Sequence, residues 1–161
     1  MNKMAQFYLF QCRTTQPFRV AYGKSSWKNY EIGDTRTWNL REILNNEIVI
    51  EFDTEDKVKA LQGIHQTGIN LFNAGITFEV WDHGGKSPHL HIRNLPIGHL
   101  PKDKLREMKK LFLKEFVPKE YLDCVDFSLC GIHLIALEWT NHWKNKYGVK
   151  RLLHKFEPNG R

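Results

Sequence analysis

Two segments of this chain repeat an apolar residue every third or fourth position, while the apolar runs around them are short and rich in β-branched and aromatic residues. The first spans about Glu55 to Phe72, with Val58, Leu61, Ile64 and Leu71 at helical spacing, Asp53-Thr54 ahead of it as a cap and Gly75 behind it as a stop. The second, Pro101–Phe116, aligns Leu105, Met108, Phe112 and Phe116 in one stripe, with Lys and Arg opposite. A stripe of this kind must be buried against something. The candidate strands are Phe7–Cys12, Phe18–Tyr22, Glu47–Asp53, Ile76–Trp81, Leu90–Asn94, Gly131–Glu138 and Val149–Phe156. Helices packed on a sheet follow, in an α+β or α/β arrangement. With 161 residues and no repeat, low-complexity tract or linker, the expectation is a single domain over 1–161.

Composition excludes some classes. No run approaches the roughly 18 apolar residues of a membrane span, so no membrane partner is expected. The start, MNKMAQFYLFQCRTT, has no small-residue cleavage site and reads as a first strand rather than a signal peptide. Three cysteines form no disulfide framework, and a reducing intracellular (cytoplasmic) setting is the simpler expectation. The net charge of +6 is unevenly placed: from Trp139 to Arg161 stand Lys144, Lys146, Lys150, Arg151, Lys155 and Arg161 against Glu157 alone. Such clustering suits a polyanion binder, and equally a solvated basic tail.

Three constellations carry chemistry. In Ile48-Val49-Ile50-Glu51-Phe52-Asp53, strand alternation puts Glu51 and Asp53 on one face and Ile48, Ile50 and Phe52 on the other. Paired carboxylates repel unless a cation lies between them, and a hard divalent ion removes that cost. The bland alternative is a helix cap at Asp53 and a solvated Glu51. Next, Trp81-Asp82-His83-Gly84-Gly85-Lys86-Ser87-Pro88-His89-Leu90-His91 reads as strand, Gly-rich turn, strand. The glycines admit an anion to the backbone, Lys86 and Ser87 add donors, and His89 and His91 share a strand face. Last, Val125-Asp126 precedes the apolar run Gly131–Glu138 and the segment Thr140-Asn141-His142-Trp143-Lys144-Asn145.

In order, these elements resemble the archaeo-eukaryotic primase superfamily. That family shows a hydrophobic strand ending in D-x-D, a helix, a strand leading to a Gly-rich S-x-H, a later hydrophobic-Asp pair and a closing strand. The counterparts are Glu51-Phe52-Asp53, Gly84 to His89, Val125-Asp126 and His133 to Lys144, within roughly residues 45 to 150. The resemblance implies an RRM-like catalytic core with a central, mostly antiparallel sheet and helices packed on it. It implies that Glu51, Asp53 and Asp126 bind two divalent ions, Mg2+ or Mn2+. Lys86, Ser87, His89, His142 and Lys144 would then contact the nucleotide or its phosphates. Substrates would be single-stranded DNA template or primer and nucleoside triphosphates, with a primase large subunit or helicase as partner. Departures are Glu51 for the usual first Asp, Ala136 for the usual Arg and Glu138-Trp139 for the usual Pro-Gly. Cys124, Cys130 and His133 are too sparse for a structural zinc site.

Two rival readings stand beside it. Pro88-His89-Leu90-His91-Ile92 also matches the HUH endonucleases of rolling-circle replication, in which His89 and His91 would hold one metal and Tyr147, in Tyr147-Gly148-Val149-Lys150, would be the nucleophile. The other is a non-catalytic nucleic-acid-binding domain that stacks bases on Trp139 and Trp143 beside Lys144.

Overall fold

The computed structural model describes residues 2–11, 17–34, 37–82, 85, 87–142 and 148–158. In chain order these form α1 (Lys3–Gln11), β1 (Arg19–Ala21), β2 (Lys28–Asn29), β3 (Leu40–Glu42), β4 (Ile48–Ile50), α2 (Lys57–Asn73), β5 (Phe78–Asp82), β6 (His89–Ile92) and α3 (Lys102–Phe116). Two short 3-10 helices follow, Lys119–Cys124 and Phe127–Cys130, then β7 (Leu134–Ala136) and β8 (Arg151–Phe156). The class is α+β. In place of one central sheet there are two antiparallel sheets of four strands, ordered β2-β1-β3-β7 and β4-β6-β5-β8. Every residue of β4 and of β6 is buried, so both faces of these strands are covered. Helices on one side alone cannot do that, and the first sheet supplies the second cover.

One face of the second sheet carries Ile48, Ile50, Phe52, Leu90, Ile92, Phe78 and Val80, and it packs on α2 and α3 to make the main core. The α2 contact face is Ala60, Gly63, Ile64, Thr67, Gly68 and Leu71, whereas Val58 and Leu61 of the expected stripe are exposed. Small residues decide this rotation. A Cβ on Gly63 would lie 2.7 Å from the Phe52 ring, and one on Gly68 would lie 3.2 Å from Phe78, so the helix backbone sits close on the sheet. The cap is also displaced from its expected place. Asp56 accepts the Lys59 N–H at 3.0 Å, and Asp53 and Thr54 stand outside the helix. In α3 the buried positions are Leu105, Lys109 and Leu113, and Met108 is exposed.

The expected first strand Phe7–Cys12 is corrected to the helix α1, with Cys12 outside the described residues. Asn2 accepts the Ala5 N–H at 2.7 Å, and Ala5 and Leu9, one turn apart, are fully buried against Phe18, Val20, Trp38 and Leu137. Burial at i and i+4 outweighs the β-rich composition. Among the described residues no helix is long and apolar enough to cross a membrane.

The close seat of α2 is testable. Gly63→Ala is expected to cost about 1–3 kcal/mol in urea unfolding, because the added methyl must displace Phe52 from a filled core. Gln62→Ala, one residue away on the exposed face, is expected to change stability by less than about 0.5 kcal/mol. Equal effects would mean that the helix has room to shift.

Candidate functional site

Because Phe52 is fully buried toward the helices, its neighbours Glu51 and Asp53 point to the opposite face of β4. The antiparallel pairing of Ile50 with Leu90, continued by one residue, brings His89 opposite Glu51, and His89 Nε2 lies 3.5 Å from Glu51 Oε2. The buried Ser87 hydroxyl donates to the Phe52 carbonyl at 3.2 Å, pinning the start of β6 beside Asp53. On the other side of β4, Phe52 bridges Val125. There Asp53 N–H donates to Cys124 C=O at 2.7 Å and Asp126 N–H to Glu51 C=O at 3.0 Å. That register sets Asp126 opposite Glu51 and, like Glu51, on the face away from the core. Five of the expected site residues, Glu51, Asp53, Asp126, Ser87 and His89, thus come from three separate segments to one edge.

Other expected site residues are placed differently. Lys86 and Lys144 lie outside the described residues, as do Tyr147, Trp143 and Lys146. His142 is half-buried beside the Asn141–Val149 bridge, with its own N–H donating to Gly148 C=O at 3.0 Å. Lys150, counted above among the basic residues for polyanion binding, is fully buried and cannot reach a phosphate.

Lys150 instead belongs to a buried ionic network between the two sheets that sequence reasoning missed. Arg41 of β3 makes a two-pronged contact to Glu138, through Nε at 3.0 Å and Nη2 at 2.9 Å. It also bonds Glu47 through both terminal nitrogens and donates to the Glu42 carbonyl at 3.1 Å. Arg93 joins Glu47 at 2.9 Å and Glu79 at 2.9 Å. Lys150 Nζ lies 3.3 Å from Glu138 Oε1, 3.3 Å from His91 Nε2 and 2.9 Å from the Ala136 carbonyl. His91 Nδ1 faces Glu47 and Glu138, each at 3.7 Å. Arg41, Arg93 and Lys150 therefore balance Glu47, Glu79 and Glu138 without a charge on His91. One signal in the sequence pointed here: the alternation that pairs Glu51 with Asp53 also puts Glu47 on their face.

The electrostatics follow from burial and pairing. Burial works to raise the Glu47 carboxyl, but the Arg41 guanidinium, with His91 beside it, overrides this and holds its pKa at about 2. Burial likewise opposes ionisation of Glu138, and Arg41 and Lys150 hold it well below the carboxylate range. For His91, burial and then the Lys150 ammonium pull the pKa down to about 4, so the ring is neutral. A neutral ring accepting from Lys150 at Nε2 carries its proton on Nδ1, between the two carboxylates. Burial lowers Lys150 itself to about 8 against the attraction of Glu138.

Whether the carboxylate edge suits a divalent ion depends on its donors. Three carboxylates presented by bridged backbone fit a hard cation in kind and in register. In the arrangement seen, Asp126 Oδ1 takes the Ser128 N–H at 3.0 Å and its hydroxyl at 2.6 Å, capping the second 3-10 helix, and Glu51 leans to His89. Among the described residues no group of three or more His, Cys, Asp or Glu is gathered tightly enough to hold a metal ion.

The network gives acid sensitivity a definite sign. His91 titrates near 4 folded and near 6.5 in its ordinary state, so on acidification the unfolded chain takes the proton first. Stability is expected to fall by roughly 2 kcal/mol between pH 7.5 and pH 5 in urea unfolding. It should fall again from about 4.5 toward 2 as Glu47 loses its depressed pKa advantage. His91→Gln should flatten the first window. A wild-type curve already flat between pH 7.5 and 5 would contradict the neutral buried histidine.

No protein-family model, no curated protein and no solved structure matches this chain.

Proposed function

We propose that the chain is a template-directed nucleotidyltransferase with the RRM-like core of the archaeo-eukaryotic primases, adding nucleotides to a nucleic-acid 3′-hydroxyl in DNA replication or repair. The observation that supports this reading is the backbone register that puts Glu51, Asp53 and Asp126 on one face just beyond β4, with His89 opposite Glu51. Carboxylates drawn to one edge from residues 51–53 and 126 suit a metal-dependent phosphoryl transfer better than they suit a structural role, since the buried ionic network already ties the sheets together.

In this reading Glu51, Asp53 and Asp126 hold Mg2+ or Mn2+, which when bound lowers the pKa of the attacking 3′-hydroxyl and offsets charge on the leaving pyrophosphate. His89, almost wholly buried with its Nε2 3.5 Å from Glu51 Oε2, is the histidine this reading assigns to the triphosphate. Ser87, whose hydroxyl is engaged by the Phe52 carbonyl, keeps β6 in register with β4 so that His89 stays opposite Glu51. Single-stranded DNA and nucleoside triphosphates are the substrates of this proposal, and a large subunit or helicase supplies further grip on the template. The endonuclease alternative requires His91 as an equal metal ligand. Its commitment to Lys150, Glu47 and Glu138 weighs against that role. A purely binding domain leaves the carboxylate edge without a use.

Primer extension with labelled primer-template, NTPs or dNTPs and Mn2+ tests the proposal. Asp53→Asn and Asp126→Asn are expected to lower incorporation by about 100-fold or more with unchanged unfolding curves. His89→Ala is expected to raise the nucleotide KM more than it lowers kcat. Wild-type turnover in Asp126→Asn, or a protein–DNA adduct that survives denaturation, would overturn the assignment.

A further inference from the structure

A second polar feature lies away from the carboxylate edge. A cleft of about 660 Å³ opens between α3 and the β1 and β3 margin of the first sheet. Positions i, i+4 and i+7 of α3 put Lys102, Arg106 and Lys109 along it, with Arg19, Glu42 and Asp103 as the other charged groups on its wall. Their pairing is uneven. Arg19 and Glu42 satisfy each other at 2.9 Å, and the Arg19 guanidinium stacks 3.8 Å over the half-exposed Trp27 ring. Lys102 and Arg106 form no ion pair among the described residues. Lys109 is 3 % exposed, yet its ammonium meets only the neutral Leu44 carbonyl, at 3.0 Å.

A buried ammonium with no carboxylate in direct contact is costly: burial lowers the Lys109 pKa, and the attraction of the more distant Glu47 carboxylate offsets this only in part. The first turn of α3 begins at Pro101 with no side-chain cap and opens on the same cleft, leaving its N–H groups for an anion. Cations on three turns of one helix, a buried ammonium short of a counter-ion and an adjoining Arg–Trp stack suit an anionic group with a flat base beside it.

We propose that this cleft binds a backbone phosphate of a single-stranded nucleic acid, with Lys102 and Arg106 at its mouth, Lys109 on its floor and Arg19, backed by Trp27, on its wall. The inference rests on the proposed function only for the choice of nucleic acid as the phosphate carrier. Binding here needs neither metal nor catalysis.

Fluorescence anisotropy of a short labelled oligothymidylate, in EDTA, tests it. Lys102→Gln/Arg106→Gln is expected to weaken binding about tenfold or more and to reduce the salt slope by about 0.7 per lost contact. Lys104→Gln/Lys114→Gln, which removes the same charge from exposed positions on α3 outside the cleft, is expected to change affinity less than about twofold. Equal losses in the two pairs, or none in the first, would overturn the assignment. So would inorganic phosphate displacing the oligonucleotide at comparable affinity, which would make the cleft a free-anion site. A wild-type protein that binds the oligonucleotide through this cleft but incorporates no nucleotide would remove the proposed function and leave the cleft assignment standing.

Discussion

Arg41 holds the two sheets in their mutual position. A guanidinium has five N–H donors in a fixed plane, and here every one is used: toward Glu138 and the Glu42 carbonyl of the first sheet, and toward Glu47 at the head of β4 in the second. Burying such a group gains little stability over a well-packed apolar substitute. Its effect is geometric. Few arrangements can satisfy all five donors, so the placement of β4 against β3 is narrowly specified, and with it the line of residues from Glu47 to Asp53. Removing Arg41 would leave Glu47 with Arg93 and Glu138 with Lys150, one buried negative charge in excess, a loss of the order of 3–5 kcal/mol.

The candidate site inherits this placement. Glu47, Glu51 and Asp53 are on one face of one strand, and His91 and His89 are on the facing strand in the same register. One end of the strand pair is therefore closed by the self-neutralising network and the other opens on the carboxylate edge. The two histidines differ accordingly. His91 is neutral and enclosed by Lys150, Glu47 and Glu138, and it serves as a spacer between charges. His89 faces Glu51 at the carboxylate edge.

How much was legible in the sequence follows the same division. Two long helices packed on sheet, and the alternation that puts Glu51 and Asp53 on one face, followed from period and spacing, whereas the pairing of their strand with that of His89 came only from the structure. What was not legible came from contacts between layers. α1 looks like a strand because its composition is β-rich, and only its burial on Trp38 and Leu137 makes it a helix. The α2 stripe rotates because Gly63 and Gly68 let the helix sit close on Phe52 and Phe78, and a hydrophobic count gives glycine no weight. The network was hidden because four of its members stand at or beyond strand ends: Glu47 before β4, Arg93 after β6, Glu138 after β7 and Lys150 before β8. Charges there read as solvated boundaries when only one layer is considered.

Strand register, fixed by the buried network, puts Glu51, Asp53 and Asp126 on one edge, which the proposed function makes the site of a divalent ion. Paramagnetic broadening by Mn2+ of assigned backbone amide signals tests this directly, without recourse to any activity. At substoichiometric Mn2+, signals of residues 51–53, 87–89 and 126–128 are expected to vanish first and together, and to return when Asp53→Asn and Asp126→Asn are combined. Broadening centred on the exposed acids of other elements, such as Asp103 and Glu107 of α3, or loss at residues 51–53 without loss at 126–128, would contradict it.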